Sequence, residues 1–365
     1  YLRLQPREPL AGGRTEQHRY KVVAQEGEKI YYLDVTSLYP SQMKVNEFPV
    51  GEPQVIDDFT PEEVTTVPFR GFIKGCILPP RKLRKPVLPY HCNKKLLFPL
   101  CGKCTEEENT GHCSHSDEDR ALKGCCTDIE VKKAMQMGYS VKELYEVWNF
   151  PANQWKSDLY SEYITRFYKI KLCSSGWPEH CKTDEEKERF LKWHRDNMGT
   201  AYGRLKLYSL MEAVGERLID TDTDSLIFIC AKEEANPLEH LLTGYLGELT
   251  SECPTGRTIK SVMVNALKSY SIEYDDGSTD LKNKGTQQNE DTYELLTYYA
   301  LESLVDSHLK GKPKTITLPQ STLSRSGFGS IVTLKFTKIV QHVNHKSAVE
   351  GTDYHTAVNV PFGYL

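Results

Sequence analysis

Two acidic turns, almost two hundred residues apart and each set at the end of an apolar run of β type, constrain this chain more than any other feature. Ile30-Tyr31-Tyr32-Leu33 leads into Asp34. Glu216-Arg217-Leu218-Ile219 leads into the stretch from Asp220 to Asp224, and Leu226-Ile227-Phe228-Ile229 follows at once. The second region therefore reads as strand, tight turn and strand. Residues 222 and 224 are two apart, so an extended backbone would point both to one face. A third carboxylate, from Asp34, would complete a cage of hard oxygens. Such a cage is what Mg²⁺ requires where two cations hold phosphates for an in-line displacement.

Size and charge narrow the setting. A chain of 365 residues can bury a large core and would ordinarily divide into two or three lobes. Its net charge of −4 is not that of a protein coated for nucleic acid. Contacts to a polyanion must then come from local clusters such as Arg81-Lys82-Leu83-Arg84-Lys85 and Arg166 to Lys171, and such runs are more often solvated loops. No apolar run is long enough to span a bilayer, and the start lacks the charged-then-apolar pattern of a signal peptide. The expectation is a soluble, intracellular protein with no membrane partner.

Eleven cysteines would suit a secreted scaffold only in a much shorter chain. Cys101-x2-Cys104-x8-Cys113-x-His115 has the close-paired spacing of a zinc knuckle, in a polar loop with little else to hold it. The alternative is a loop of reduced thiols. Elsewhere Thr127 to Glu130 is a capping box that opens a short helix closed by Gly138. Ser140 to Phe150 alternates as a strand. Residues 68–100 are strand-like but punctuated by Pro79, Pro80, Pro86 and Pro89. Asp158 to Leu172 and Thr183 to Leu210 have helical period. This order of elements fits an α+β fold better than a doubly wound sheet.

DxxSLYPS beginning at Asp34, followed by Asp222-Thr223-Asp224-Ser225, resembles the signature pair of the family B DNA polymerases. Further stretches resemble the protein-primed branch, that of Polinton (Maverick) transposons, linear plasmids and viruses. They are Gly12-Gly13-Arg14-Thr15, Lys169-Ile170-Lys171 with Ser174-Ser175-Gly176-Trp177-Pro178, Leu267-Lys268-Ser269-Tyr270, Lys282-Asn283-Lys284-Gly285 and Val360-Pro361-Phe362-Gly363-Tyr364. The resemblance implies a palm with an antiparallel sheet and flanking helices, truncated fingers and a thumb-like C-terminal region. The corresponding divisions are residues 1–156 for the first part of the palm, with a cysteine-rich insertion at about 92–126; residues 157–199 for residual fingers helices; residues 200–285 for the rest of the palm; and residues 286–365 for the thumb-like part.

The resemblance also implies roles. Asp34 and Asp224, with the carbonyl of Val35, would hold two Mg²⁺ ions, and Asp222 would be a third, lesser carboxylate of the catalytic set. The backbone N–H groups of Ser37, Leu38 and Tyr39 would hold the triphosphate, with Arg166, Lys169 and Lys171 above it. Tyr39 would lie under the sugar and leave no room for a 2′-hydroxyl. Lys268 and Tyr270 would meet the primer end, and Gly12 and Gly13 the template phosphates. Apart from these roles, the spacing of Cys101, Cys104, Cys113 and His115 suits one structural Zn²⁺, and the resembling family often carries a CxxC there too. The partners implied are primer-template DNA, deoxynucleoside triphosphates and a terminal protein.

Two departures from the family bear on activity. The chain begins just before Gly12, where a proofreading exonuclease domain would come earlier in such polymerases, so it reads either as a fragment or as a polymerase that never proofreads. The family's fingers helix, KxxxNSxYG, has a near match at Arg195 to Gly203, but the spacing to Asp222 is far too short. Thr200 to Tyr208 aligns better with the helix that runs directly into the acidic turn, which leaves the nucleotide-binding helix deleted. Two functions follow: a DNA-directed DNA polymerase, or a relic that binds DNA and divalent metal with little turnover. A chromosomal element would place the protein in the nucleus, a plasmid or virus in a mitochondrion or virion factory.

Overall fold

The computed structural model describes residues 3–5, 7–177, 182–187, 200–231, 233–287, 289–327, 329–342, 344 and 346–365. In chain order the first half contains β1 (Thr15–Gln17), β2 (Lys21–Val23), β3 (Lys29–Val35), α1 (Leu38–Val45), β4 (Gln54–Ile56), β5 (Gly71–Leu78), β6 (Leu122–Thr127), α2 (Asp128–Gln136), β7 (Ser140–Asn149) and α3 (Ser161–Ser175). The second half contains α4 (Thr200–Val214), β8 (Leu218–Asp222), β9 (Ser225–Cys230), β10 (Leu249–Ser251), β11 (Ile259–Ala266), β12 (Ser269–Tyr274), β13 (Thr279–Asn283), α5 (Tyr298–Leu309), β14 (Thr315–Arg325), β15 (Ile331–Gln341), β16 (Ala348–Glu350) and β17 (Val358–Val360).

A nine-stranded antiparallel sheet dominates. Its strands run β1-β8-β9-β3-β11-β12-β13, with β10 also paired to β3 and β2 to β11. The two apolar runs meet at its centre, where Leu226, Ile227 and Phe228 stand opposite Leu33, Tyr32 and Tyr31. Alternation then sorts the side chains. Leu33, Val35, Leu226 and Phe228 are buried against Leu207, Met211 and Val214 of α4. Ile30, Tyr32, Ile219, Ile227, Val262 and Val264 make a second cluster on the opposite face. Each fully buried aliphatic or Phe side chain of this kind contributes roughly 1.5–3 kcal/mol. The register is therefore fixed firmly, because a slip of one residue would exchange the two faces.

A second sheet, ordered β4-β7-β5-β6, carries α2. The expected capping box is present, with the Thr127 hydroxyl donating to Glu130 at 2.8 Å. Gly138, at φ +87°, follows the end of the helix. The helix expected from Asp158 instead starts at Ser161, because the Ser161 N–H donates back to the Asp158 carbonyl and closes a turn first. It runs on to Ser175 and stops at Gly176, whose φ of +98° suits only glycine. No helix among the described residues is long and apolar enough to cross a membrane.

One buried ion pair ties α4 to α2. Arg204 and Glu130 are 4% and 1% exposed and lie 2.8 Å apart, and Arg204 also donates to the carbonyls of Ala11 and Gly12. Arg204→Met would strand the Glu130 carboxylate, so a loss of about 3–5 kcal/mol is expected in denaturant unfolding. Adding Glu130→Gln should recover part of it. Equal losses in the single and double variants would show that the pair is not what holds these helices together.

Candidate active site

The acidic turns are brought together by strand register. Ser225 is the partner of both Asp34 on β3 and Asp222 on β8. Directly opposed residues share a face, so Asp34, Ser225 and Asp222 point the same way, with a small side chain in the middle. The Val35 N–H donates to the Asp224 carbonyl at 2.7 Å and locks one turn to the other. Asp222 and Asp224 are not successive same-face residues of an extended strand, as the spacing suggested. Thr223 sits at φ +63°, and the Asp224 N–H donates to the Asp222 carbonyl at 2.6 Å, closing a tight three-residue turn.

The carboxylates consequently divide. Asp222 is neutralised by Lys268, whose Nζ is 2.6 Å from its Oδ1. Asp34 faces the charge of Asp224, and Asp224 that of Asp222. Burial first, then the charges of Asp224 and Glu252, push the Asp34 carboxyl up to about 7, against smaller opposing effects of Lys282 and Lys171. Burial, followed by Asp222, likewise raises Asp224. A half-buried acidic pair of this kind accumulates unfavourable negative charge, which suits a divalent cation. The expected cage of three carboxylates is thus an acidic pair with a cation-paired neighbour.

The segment after Asp34 makes an anion-facing turn. Ser37 is left-handed, at φ 52°, and α1 begins directly after it. The first-turn N–H groups of α1, including those of Leu38 and Tyr39, have no acceptor one turn back within the helix. The Lys171 Nζ of α3 donates to Ser37 Oγ at 2.9 Å. Arg166 and Lys169 lie on the same helix, both exposed. The loop before β10 closes the turn from the other side, with the Thr36 N–H on Glu248 O and the Gly247 N–H on Thr36 O.

Gly13 has a sharper steric reason than Gly12. A Cβ at Gly13 would fall 2.6 Å from both the Thr223 methyl and the Tyr39 hydroxyl, whereas one at Gly12 would meet only Leu96 at 4.0 Å. The Thr223 N–H donates to the carbonyl of Arg14. Arg14 is 1% exposed, bound to Pro86 O and Glu16, with its guanidinium over Phe98 at 4.2 Å. The glycine strap is thereby bolted behind the turn. On its far side Tyr39 meets α4, where a Cβ at Gly203 would approach its ring to 3.1 Å.

Tyr270 is 4% exposed, and its hydroxyl is 2.7 Å from that of Tyr32. Lys282 lies 5.6 Å from the centroids of both rings. Lys282, Glu252 and Arg204 thus belong to the surroundings of the site, although sequence reasoning gave them no role. The Lys282-x-Lys284-Gly285 stretch was the available signal for the first; nothing marked Glu252. The four expected zinc ligands are brought together, their ligand atoms all within 4.8 Å of one another. Among the described residues this is the one group of three or more such ligands so close. Pro178 and the segment from Arg195 to Gly199 lie outside the described residues.

The class these features define is an α+β protein with an antiparallel sheet that carries two acidic turns side by side. Residues 5–181 match the family of DNA polymerases type B, organellar and viral. Over 92% of the chain the fold is similar to that of Phi29 DNA polymerase in its orthorhombic crystal form, with a TM-score of 0.57 and 15% identity. It is equally similar, at a TM-score of 0.57 and 14% identity over 91% of the chain, to Phi29 DNA polymerase complexed with primer-template DNA and incoming nucleotide substrates. The chain spans 62% and 61% of the lengths of these two structures. No curated protein matches it. The family match covers residues 5–181, and the likeness to the solved structures is one of fold.

Proposed function

We propose that this chain is a DNA-directed DNA polymerase that transfers a deoxynucleotide to a primer 3′-hydroxyl. The observation that carries this reading is the acidic pair: two turns from distant parts of the sequence are locked edge to edge, and both carboxyls are raised by burial and by neighbouring negative charge. Asp34, Asp224 and the Val35 carbonyl would hold divalent cations, Mg²⁺ by the hardness of the oxygens. Bound there, such cations would supply charge neutralisation for the triphosphate and a lowered pKa for the primer hydroxyl.

The other residues act by position. The N–H groups of Ser37, Leu38 and Tyr39 receive the triphosphate in a backbone nest, with Lys171 beside them. Tyr39, backed by Gly203 and Gly13, is a fixed floor for the sugar and excludes a 2′-hydroxyl. Lys268, held on Asp222, stands where a primer terminus would approach, and Tyr270 buttresses the same strand. Gly12 and Gly13 let the template strand pass close to the strap. Arg166 and Lys169 extend the positive face of α3. The divisions at residues 1–156, 157–199, 200–285 and 286–365 are proposed as palm, residual fingers, palm and thumb-like parts. Protein priming, and an origin in a Polinton-like element, remain part of this reading through the sequence motifs.

A second reading is favoured by α4. Its Arg204 is occupied by Glu130 and two carbonyls, so this helix offers the triphosphate no guanidinium. With the KxxxNSxYG helix read from the sequence spacing as deleted, the chain is expected to bind primed DNA and Mg²⁺ but to extend primers slowly, on the order of a hundredfold or more below an ordinary polymerase. A primer-extension assay with purified protein, Mg²⁺ and deoxynucleotides decides between the two. Extension at an ordinary rate, lost in Asp224→Ala, would mean that the segment from Arg195 to Gly203 is the working nucleotide helix.

A further inference from the structure

The sequence motif Val360-Pro361-Phe362-Gly363-Tyr364 has no part in the acidic site. It lies instead against the cysteine cluster, far from it in sequence. Phe362 is 3% exposed and packs with Leu97, Cys101, Cys104 and Cys113. The Leu100 N–H donates to Phe362 O, and the Cys113 N–H to Leu365 O, both at 2.8 Å. Tyr364 covers the basic run, its ring 4.6 Å from Lys82 Nζ and 5.3 Å from the Arg84 guanidinium. Gly363 explains its own identity: a Cβ there would fall 2.4 Å from Cys101 Cβ, and its φ is +83°.

The cluster itself is built as a closed site. The His115 Nδ1 lies 3.5, 3.2 and 3.8 Å from the sulfurs of Cys101, Cys104 and Cys113. Its other nitrogen, Nε2, is 3.5 Å from a Glu107 carboxylate oxygen. That carboxylate–histidine arrangement fixes which nitrogen faces the ligand. The Cys104 N–H points at Cys101 Sγ, 3.3 Å away, and the Asn109 side-chain amide at Cys104 Sγ. Cys101 and Cys104 are 0% exposed and Cys113 is 6%. Three thiolates and one imidazole in so small a space select a tetrahedral, thiophilic divalent ion.

We propose that Cys101, Cys104, Cys113 and His115 bind one structural Zn²⁺ ion, and that this ion clamps residues 360–365 to the cysteine loop. Cys101, Cys104 and Cys113 share a packing cluster with Phe362, and the Cys113 N–H also bonds the tail. Metal loss therefore frees both segments at once. Without the ion the loop must rely on short helices, Gly102–Glu106 and Asp117–Arg120, which are too brief to persist alone. The clamp also closes a very long chain loop, which is where a cross-link constrains the unfolded chain most.

The test uses the whole chain. Elemental analysis of purified protein should give about one zinc per chain, and Co²⁺ replacement should give the visible spectrum of a tetrahedral thiolate site. Hydrogen exchange should then be followed with and without a zinc chelator. Exchange over 96–115 and over 358–365 should rise together, on the order of tenfold or more. Glu107→Gln should weaken zinc binding by about 10–100-fold, and His115→Cys, which keeps four ligands, should retain the metal where Cys104→Ser loses it. Gly363→Ala should free the tail with zinc still bound. Protein free of zinc when purified from zinc-supplemented medium, or chelation that loosens the cysteine loop and leaves 358–365 unchanged, overturns the proposal.

Discussion

Asp224→Ala and Asp34→Asn are each expected to reduce primer extension by on the order of a thousandfold or more, measured in single turnovers with primed template and saturating Mg²⁺. The two carboxyls already carry the cost of burial and of neighbouring negative charge in the folded protein. That cost predicts an opposite effect on stability. The folded state holds the Asp34 proton up to about pH 7, whereas the unfolded chain releases it near the ordinary value of about 3.9. Between those values the native state binds the more protons. Stability from this group is full at acid pH and is lost as pH rises through the folded value. In Mg²⁺-free buffer, the Asp34→Asn variant should therefore melt higher than the parent at pH 8 and lose that advantage toward pH 4. Added Mg²⁺ should raise the melting temperature of the parent alone. A variant that melts lower at pH 8, or responds to Mg²⁺ as the parent does, would take Asp34 out of the cation site.

Lys171→Ala carries the second-largest expected effect, about a hundredfold in the rate of nucleotide incorporation. Lys171 reaches the first turn of α1 by its bond to Ser37 Oγ and also acts on Asp34 electrostatically. With Arg204 committed elsewhere, the triphosphate depends more on α3 than it would with two cationic helices. The loss should fall on both the apparent affinity for nucleotide and the rate at saturation, because charge develops on the phosphates during transfer. DNA binding should be unaltered, and Lys171→Arg should recover part of the rate. Unchanged incorporation by Lys171→Ala would shift the role to Arg166 or Lys169.

The parts of this site legible in the sequence are those written in local patterns. Two apolar alternations ending in acidic turns gave the paired strands, because period and punctuation survive without knowledge of the partner. Cysteine spacing gave the cluster of Cys101, Cys104, Cys113 and His115, since a knuckle is largely a local geometry. The capping box at Thr127 gave the start of α2 for the same reason. What stayed hidden depends on who sits opposite whom. Lys268 is spent on Asp222 only because a hairpin delivers it there, and Arg204 finds Glu130 across two helices. The left-handed Thr223 could not be expected, because a threonine in that conformation is tolerated only when the surrounding structure imposes it. The start of α3 was displaced by a single turn bond at Asp158, below the resolution of a periodicity argument.

The position of β3 has a consequence for how the molecule is made. Its neighbours β9, β10 and β11 are all encoded about 190 residues or more downstream. A ribosome adding roughly 5–20 residues per second would expose Ile30-Tyr31-Tyr32-Leu33 for something like 10–40 seconds before a partner strand emerges. During that interval the segment is an apolar strand with both edges open, ready to pair with another copy of itself. The acidic edge thus cannot begin to form until Ser225 and the residues after it have emerged. Cover of this strand during synthesis is then expected to bear on how much folded protein accumulates, alongside the stability of the finished fold.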